Sequence, residues 1–313
     1  MLNLKHMKRN ITVILLLIIL VGLVFWAVKK NQSSSRNIDS NNLQVVASFY
    51  PLYFFASSIG GDKAEVSNIV PAGAEPHDYE PTSGDLVNME NSQLIILNGG
   101  GLESWQDNVQ KNINPQKTKI VVAGAGLTTG QVTEDSHMGI DPHVWLDPLL
   151  AEKMVDTIAQ GFGQVDPANK NYYVANADIL KNQLAKLDAQ YRQDLKSCAK
   201  KDIITSHSAF AYLAAEYGLR QVSIAGMTPD AEPSPAQLAA VTKFAKDNNV
   251  RYIFFESLVS PKLAETISRE VGAQTLVLDP LEGLSGESAA QGKSYITIMQ
   301  ANLTNLKTAL QCQ

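Results

Sequence analysis

The sequence lacks the nucleotide-binding pattern GxxxxGK[ST], so it contains no phosphate-binding loop of that type. It also lacks the metalloprotease pattern HExxH, and no pairing of Ser or Cys with His indicates an activated nucleophile. No self-similarity recurs at a period of about 20 to 50 residues, which argues against a solenoid or a propeller. These absences argue against a nucleotide-hydrolysing protein and against a hydrolase with one of these motifs.

Positive charge is scarce outside the N-terminus. The chain carries a formal net charge of −5, and residues 1–30 hold five Lys or Arg and no acidic residue, so the remainder carries −10. An acidic body without a basic stripe argues against nucleic acid as a partner. It is compatible with a cationic ligand, although surface charge alone is weak support.

One long uncharged run stands out, the 18 residues Ile11–Val28. As a helix it would span roughly 27 Å, about the hydrocarbon thickness of a bilayer, and Trp26 suits an interfacial position. We expect an uncleaved membrane anchor. A signal peptide cleaved within Asn31–Ser35 is the alternative, but no A-x-A site follows, and no cysteine follows that could carry a lipid.

The rest of the chain alternates short β-rich runs with helical patterns, which predicts an α/β fold. A polar tether over residues 31–43 follows the N-terminal segment, residues 1–30. The predicted strands are Gln44–Ser48, Glu65–Val70, Leu94–Leu97, Lys119–Val122, Asp202–Thr205, Gln221–Ile224, Arg251–Phe255 and Thr275–Leu278.

A helical pattern free of Gly and Pro, Asn169–Ala199, separates the first four strands from the last four. It would be about 45 Å long as a continuous helix. The simplest interpretation is an N-terminal α/β lobe at 44–168, a stiff linking helix at 169–199 and a C-terminal α/β lobe at 200–313.

Three histidines and one aspartate occupy related positions: His77, His143, His207 and Asp279. His77, His207 and Asp279 each follow a predicted strand, and ligands of open α/β sheets bind beyond the carboxyl ends of strands. Imidazole and carboxylate suit Zn²⁺ or Mn²⁺, and four such groups can complete a coordination sphere. Each residue alone could equally be a surface, capping or turn residue.

Five strings in this order resemble the zinc and manganese solute-binding proteins of ABC transporters, the metal-binding lipoprotein or adhesin type. They are PAGAEPHDYEPTSGDL, GIDPHVWLDP, ITSHSAFAYLAAEYGL, AGMTPDAEPSPAQL and LVLDPLEGL. The resemblance runs from about Gln44 to the C-terminus. It implies two Rossmann-like α/β lobes joined by one long rigid helix, with the metal in the cleft between the lobes.

The resemblance also implies ligands at His77, His143, His207 and Asp279, and Zn²⁺ as cargo, with Mn²⁺ as the alternative. The partners would be an ABC permease and a separate ATPase subunit. The chain itself would be a monomer at the outer face of the cytoplasmic membrane. Zinc members often carry a long His- and Asp-rich loop before the second ligand. Here Gly130–Ile140 is short and holds only His137, which we expect to be a solvated loop residue.

The chain has only two cysteines, Cys198 and Cys312. An even count in an exported body predicts a disulfide, with two free thiols as the alternative. Two other functions fit less well. A zinc hydrolase needs an open coordination position, which a fourth ligand would close, and a surface adhesin needs no converging ligands.

Overall fold

The computed structural model describes residues 42–134 and 137–313, with the side chains of 131–138 left out. The predicted anchor at Ile11–Val28 and nearly all of the predicted tether lie outside these residues. Within the described part, no helix combines the length and the apolar character needed to cross a bilayer.

The N-terminal lobe is built on a four-stranded sheet whose strands are all parallel, in the order β2-β1-β3-β4. Its strands are β1 (Leu43–Ala47), β2 (Ala64–Asn68), β3 (Leu94–Leu97) and β4 (Lys119–Val122), and its helices are α1 (Tyr50–Gly60), α2 (Ser83–Asn91) and α3 (Gln106–Asn112). Strand β3 is apolar throughout and buried at every position, as expected for a parallel strand that is covered on both faces.

The C-terminal lobe repeats this topology with an all-parallel sheet of order β10-β9-β7-β8. Its strands are β7 (Asp202–Thr205), β8 (Arg220–Ser223), β9 (Tyr252–Phe255) and β10 (Gln274–Val277). Its helices are α6 (Ala211–Glu216), α7 (Pro235–Asp247), α8 (Lys262–Val271), α9 (Gly286–Ala290) and α10 (Tyr295–Leu310). In chain order each sheet has its first strand beside its second and third, so both lobes place their loops in the same way.

Three further elements connect the lobes. A hairpin of β5 (Gln131–Glu134) and β6 (His137–Ile140) follows the first sheet and is antiparallel. Helix α4 (Pro148–Val165) then leads into the long helix α5 (Lys170–Leu195), which packs against α4, α1 and α10. The buried side chains of α5 recur every three or four residues: Tyr173, Ala177, Leu180, Leu184, Leu187, Tyr191 and Leu195. Each buried Leu stabilises the fold by roughly 1.5–3 kcal/mol relative to exposure.

The predicted architecture is confirmed: all eight predicted strands are present, with ends displaced by no more than two residues. The long helix ends at Leu195, four residues before the predicted Ala199, because the chain turns there and Cys198 pairs with Cys312. Helix α7 begins directly after Ser234, whose side chain accepts a hydrogen bond from the Gln237 amide. The residue boundaries drawn between the lobes stay predictions.

Cys198 and Cys312 form a disulfide across a sequence separation of 114 residues. The two segments are also joined by backbone hydrogen bonds, from Lys200 to Leu310 and from Ala199 to Gln311. The bond therefore closes a loop that contains the whole C-terminal lobe and fixes the end of α10 beside the end of α5.

Replacing both cysteines by serine is expected to lower the free energy of unfolding, with an upper figure on the order of 4 to 5 kcal/mol from the chain-entropy model. Urea unfolding of the parent and the Cys198→Ser, Cys312→Ser double variant measures the difference. Mass analysis after alkylation should find no free thiol in the exported parent. Two alkylatable thiols there would contradict the disulfide.

Candidate metal centre

His77 lies in the loop between β2 and α2, at the carboxyl end of the first sheet. Its backbone amide donates a hydrogen bond of 3.3 Å to Glu75 Oε1. The same loop is tied to the C-terminal lobe, since the Gly73 amide donates to the carbonyl of Leu284 at 2.9 Å. The side chain of His77 is therefore held at the junction of the two lobes.

His143 is fully buried and precedes the 3-10 turn Val144–Leu146 that leads into α4. Both its backbone amide and its ring Nδ1 lie within hydrogen-bond distance of Asp141 Oδ1, at 3.0 and 2.7 Å. A carboxylate at this distance favours a proton on Nδ1, so the lone pair of Nε2 is free to face the centre of the site.

His207 follows β7 and is also fully buried. Its Nδ1 lies 2.8 Å from both carboxylate oxygens of Glu256, which directly follows β9. The backbone amide of His207 donates to Glu256 Oε1 at 3.1 Å. As with His143, the carboxylate fixes the ring and leaves Nε2 toward the centre.

The fourth group at the centre is Glu282, a residue that the sequence analysis did not select. Its Oε1 lies 3.3 Å from Nε2 of His77 and 3.1 Å from Nε2 of both His143 and His207. Glu282 is 1% exposed, and it comes from the loop after β10 in the C-terminal lobe. It is the group that brings a negative charge to the three imidazoles.

The spacing of these four atoms matches a small tetrahedral cation. The two shortest separations between Nε2 atoms are 3.2 Å, from His77 to His143, and 3.3 Å, from His143 to His207. Zn²⁺ bound to imidazole at about 2.0–2.1 Å in a regular tetrahedron would separate its ligand atoms by about 3.3–3.4 Å. All four ligand atoms lie within 4.8 Å of one another.

Asp279 was expected as the fourth ligand, but its carboxylate is engaged in the loop itself. Oδ2 accepts a hydrogen bond from Ser257 at 2.6 Å, and Oδ1 accepts one from the Leu281 amide at 2.8 Å. The side chain of Asn302 holds the Asp279 backbone at both its amide and its carbonyl. Asp279 therefore shapes the turn that presents Glu282, three residues later.

Leu281 completes this turn with a positive φ of 59°, an uncommon conformation for a residue other than Gly, Asn or Asp. Its side chain is fully buried, and that burial holds the backbone in place. The neighbouring carbonyl of Pro280 accepts a hydrogen bond from Trp145 Nε1 at 2.8 Å. Since Trp145 lies two residues after His143, this hydrogen bond joins the loop of His143 directly to the loop of Glu282.

Other residues near the predicted ligands have structural contacts. Asp147 caps α4 by accepting a hydrogen bond from the Leu149 amide at 2.8 Å, and it does not contact an imidazole. Trp145 packs beside the His143 ring with centroids 5.1 Å apart, and Phe210 is fully buried. His137 begins β6, and its side chain lies outside the described part of the chain.

A family model described as zinc-uptake complex component A, periplasmic (ZnuA), matches residues 45–309. The chain belongs to this family. Among its relatives is the high-affinity zinc uptake system protein ZnuA of Bacillus subtilis (strain 168), 41% identical over 293 residues that cover 90% of this chain and 92% of that protein.

A second relative is the zinc-binding lipoprotein AdcA of Streptococcus pneumoniae (strain ATCC BAA-255 / R6), 36% identical over 285 residues that cover 88% of this chain. The match spans only 57% of AdcA. The crystal structure of its Zn(II)-bound ZnuA-like domain aligns with a TM-score of 0.76 and 36% identity, over 86% of this chain and 99% of that domain. The family and the fold expected from the sequence are thus confirmed.

The electrostatics of this ZnuA-family site favour a cation at its centre. Burial opposes a charged imidazole, but the hydrogen bonds with Asp141 and Glu282 outweigh it and raise the pKa of His143. Burial is likewise outweighed at His207, where the charges of Glu282 and Glu256 raise the pKa well above its usual range. Burial would raise the pKa of Glu282, but the His207 charge and the imidazole hydrogen bonds hold it well below the ordinary value. Protons and a metal ion therefore compete for the same nitrogens.

Metal affinity should fall as the pH is lowered, beginning above the ordinary histidine pKa of about 6.5. The raised pKa values of His143 and His207 stabilise the metal-free fold fully below the unfolded pKa, and this stabilisation is lost as the pH rises through the folded values. Chelator competition from about pH 8 to about pH 5 measures how the metal affinity changes with pH. An affinity independent of pH, after correction for the chelator, would contradict it.

Changing Glu282 to Gln should weaken metal binding by more than about a hundredfold, because the charge at the centre is lost. Asp279→Asn is the matched control, since an amide can still accept from the Leu281 amide, and it should weaken binding by less than about tenfold. Isothermal titration of both variants measures the difference. A larger effect at Asp279 than at Glu282 would make Asp279 the ligand.

Proposed function

We propose that this chain captures Zn²⁺ outside the cytoplasm and delivers it to an ABC permease for uptake. The observation that carries the proposal is the set of three imidazole nitrogens and one carboxylate oxygen: five of their six separations are 3.1–3.3 Å, and all four atoms lie within 4.8 Å of one another. The metal-binding residues proposed are His77, His143, His207 and Glu282. Relatives named for zinc uptake and for zinc binding support the same cargo.

Zinc is favoured over manganese by the donor set. Three nitrogens and one oxygen at tetrahedral spacing suit Zn²⁺, whereas Mn²⁺ prefers more oxygen donors and higher coordination. The Irving–Williams order also gives Zn²⁺ a higher affinity than Mn²⁺, but it does so at almost any such site. The number and type of donors in this site are therefore the stronger argument for zinc.

Carriage of the ion fits the geometry better than catalysis. A zinc hydrolase keeps one coordination position open for water or substrate, and here four protein groups already surround the centre. Three of the four groups are also closed from solvent, because His143, His207 and Glu282 are each at most 1% exposed, while His77 is half-buried. An ion held in this way must leave through separation of the loops from the two lobes, which suits a protein that hands its cargo to a partner.

The location and the partners follow from the family and the sequence. The family is described as periplasmic, and the relative AdcA is a zinc-binding lipoprotein, which supports a position at the outer face of the cytoplasmic membrane. We propose that residues 11–28 anchor the chain there. Because the sequence lacks the GxxxxGK[ST] pattern, the permease and the ATPase would be separate chains.

Protein purified without added metal should contain about one zinc per chain by elemental analysis, and competition should show Zn²⁺ binding more tightly than Mn²⁺. His143→Ala should lose the bound zinc, and His137→Ala serves as the matched histidine control that retains it. In cells without a second binding protein, deletion should reduce zinc uptake at limiting zinc. Unchanged uptake, or zinc retained by His143→Ala, would contradict the proposal.

A further inference from the structure

The β5–β6 hairpin is closed at its base by a side chain from the other lobe. The hairpin lies between Gly130 and Asp141, and the Asp141 amide donates to the Gly130 carbonyl at 3.0 Å. The hydroxyl of Tyr212 accepts a hydrogen bond from the Gly130 amide at 2.9 Å and donates one to the Asp141 carbonyl at 2.9 Å. One oxygen atom thus bridges both ends of the hairpin.

The fit around this hydroxyl is close. A Cβ atom added at Gly130 would lie 3.0 Å from the Tyr212 hydroxyl and 3.3 Å from Asp141 Cβ. Tyr212 is the second residue of α6, which begins four residues after His207. The contact therefore joins the segment that carries His207 to the segment that carries His143.

Residues 141–143 are held from both lobes. Within the N-terminal lobe, Asn98 Nδ2 donates to the Pro142 carbonyl at 2.9 Å. From the C-terminal lobe, Tyr212 holds the Asp141 carbonyl. Asp141 in turn fixes the His143 ring through its 2.7 Å contact with Nδ1. A shift of the Asp141 backbone would therefore change the direction of His143 Nε2.

We propose that Tyr212 is a positioning residue for metal retention: by closing the base of the hairpin it holds Asp141, and through Asp141 it holds His143 in the geometry that keeps Zn²⁺ bound. This inference rests on the proposed function. Opening of the hairpin base would break both Tyr212 hydrogen bonds and loosen the hold of Asp141 on His143, so Tyr212 would slow the departure of the ion.

The test compares zinc dissociation rates, measured by mixing zinc-loaded protein with an excess of a fluorescent chelator. Tyr212→Phe removes only the hydroxyl, and we expect release to become at least roughly threefold to tenfold faster, the range for the net contribution of one hydrogen bond. Tyr172→Phe is the matched control. The Tyr172 hydroxyl also accepts a hydrogen bond from a backbone amide, that of Asp62, but far from the metal site. Its release rate should equal that of the parent.

A double-mutant cycle with Asp141→Asn separates positioning from general stability. If Tyr212 acts through Asp141, the two changes should be less than additive in release rate. Additive effects, or a parent-like release rate in Tyr212→Phe, would overturn the inference while zinc binding by the parent stands. A parent that binds no zinc would overturn the proposed function as well.

Discussion

The whole arrangement depends on the crowding of four ligand atoms of like polarity at one point between the lobes. Two separations between imidazole nitrogens of 3.2 and 3.3 Å are unfavourable when both lone pairs point inward, unless a cation or a proton lies between them. The Glu282 carboxylate, 3.1–3.3 Å from the Nε2 atoms of all three rings, adds a negative charge that such a cation or proton would neutralise. Glu282 comes from the C-terminal lobe and His77 and His143 from the N-terminal lobe, so both lobes contribute groups to the site.

The scaffold fixes the geometry of this point. Asp141 and Glu256 fix the rings of His143 and His207 through their Nδ1 atoms, which reduces the freedom lost on binding. The loops themselves are joined across the cleft, by the bond from Gly73 to Leu284 and by the bond from Trp145 to Pro280. Beneath them, α5 packs against helices of both lobes and acts as a common support.

Much of this could be predicted from the sequence, because parallel strands produce apolar runs and their carboxyl ends meet at one edge of a sheet. Strand β3, His77 and His207 follow that rule. The fourth group could not be chosen in the same way, since Asp279 and Glu282 lie in one loop and both are acidic. The choice depends on hydrogen bonds from Ser257 and Asn302, which are 22 and 23 residues from Asp279 in sequence and leave no local pattern. The hairpin was missed for a similar reason, because its closing contact comes from Tyr212 in the other lobe.

The most direct measurement is zinc K-edge X-ray absorption of the loaded protein, which reports the number, type and distance of the donors. The account predicts four nitrogen or oxygen donors at about 2.0–2.1 Å, with outer-shell scattering from three imidazoles. Substitution of Glu282 by Gln should change the first shell while the imidazole scattering remains. Six oxygen donors at longer distances, a sulfur donor or fewer than three imidazoles would contradict the site described by the structure.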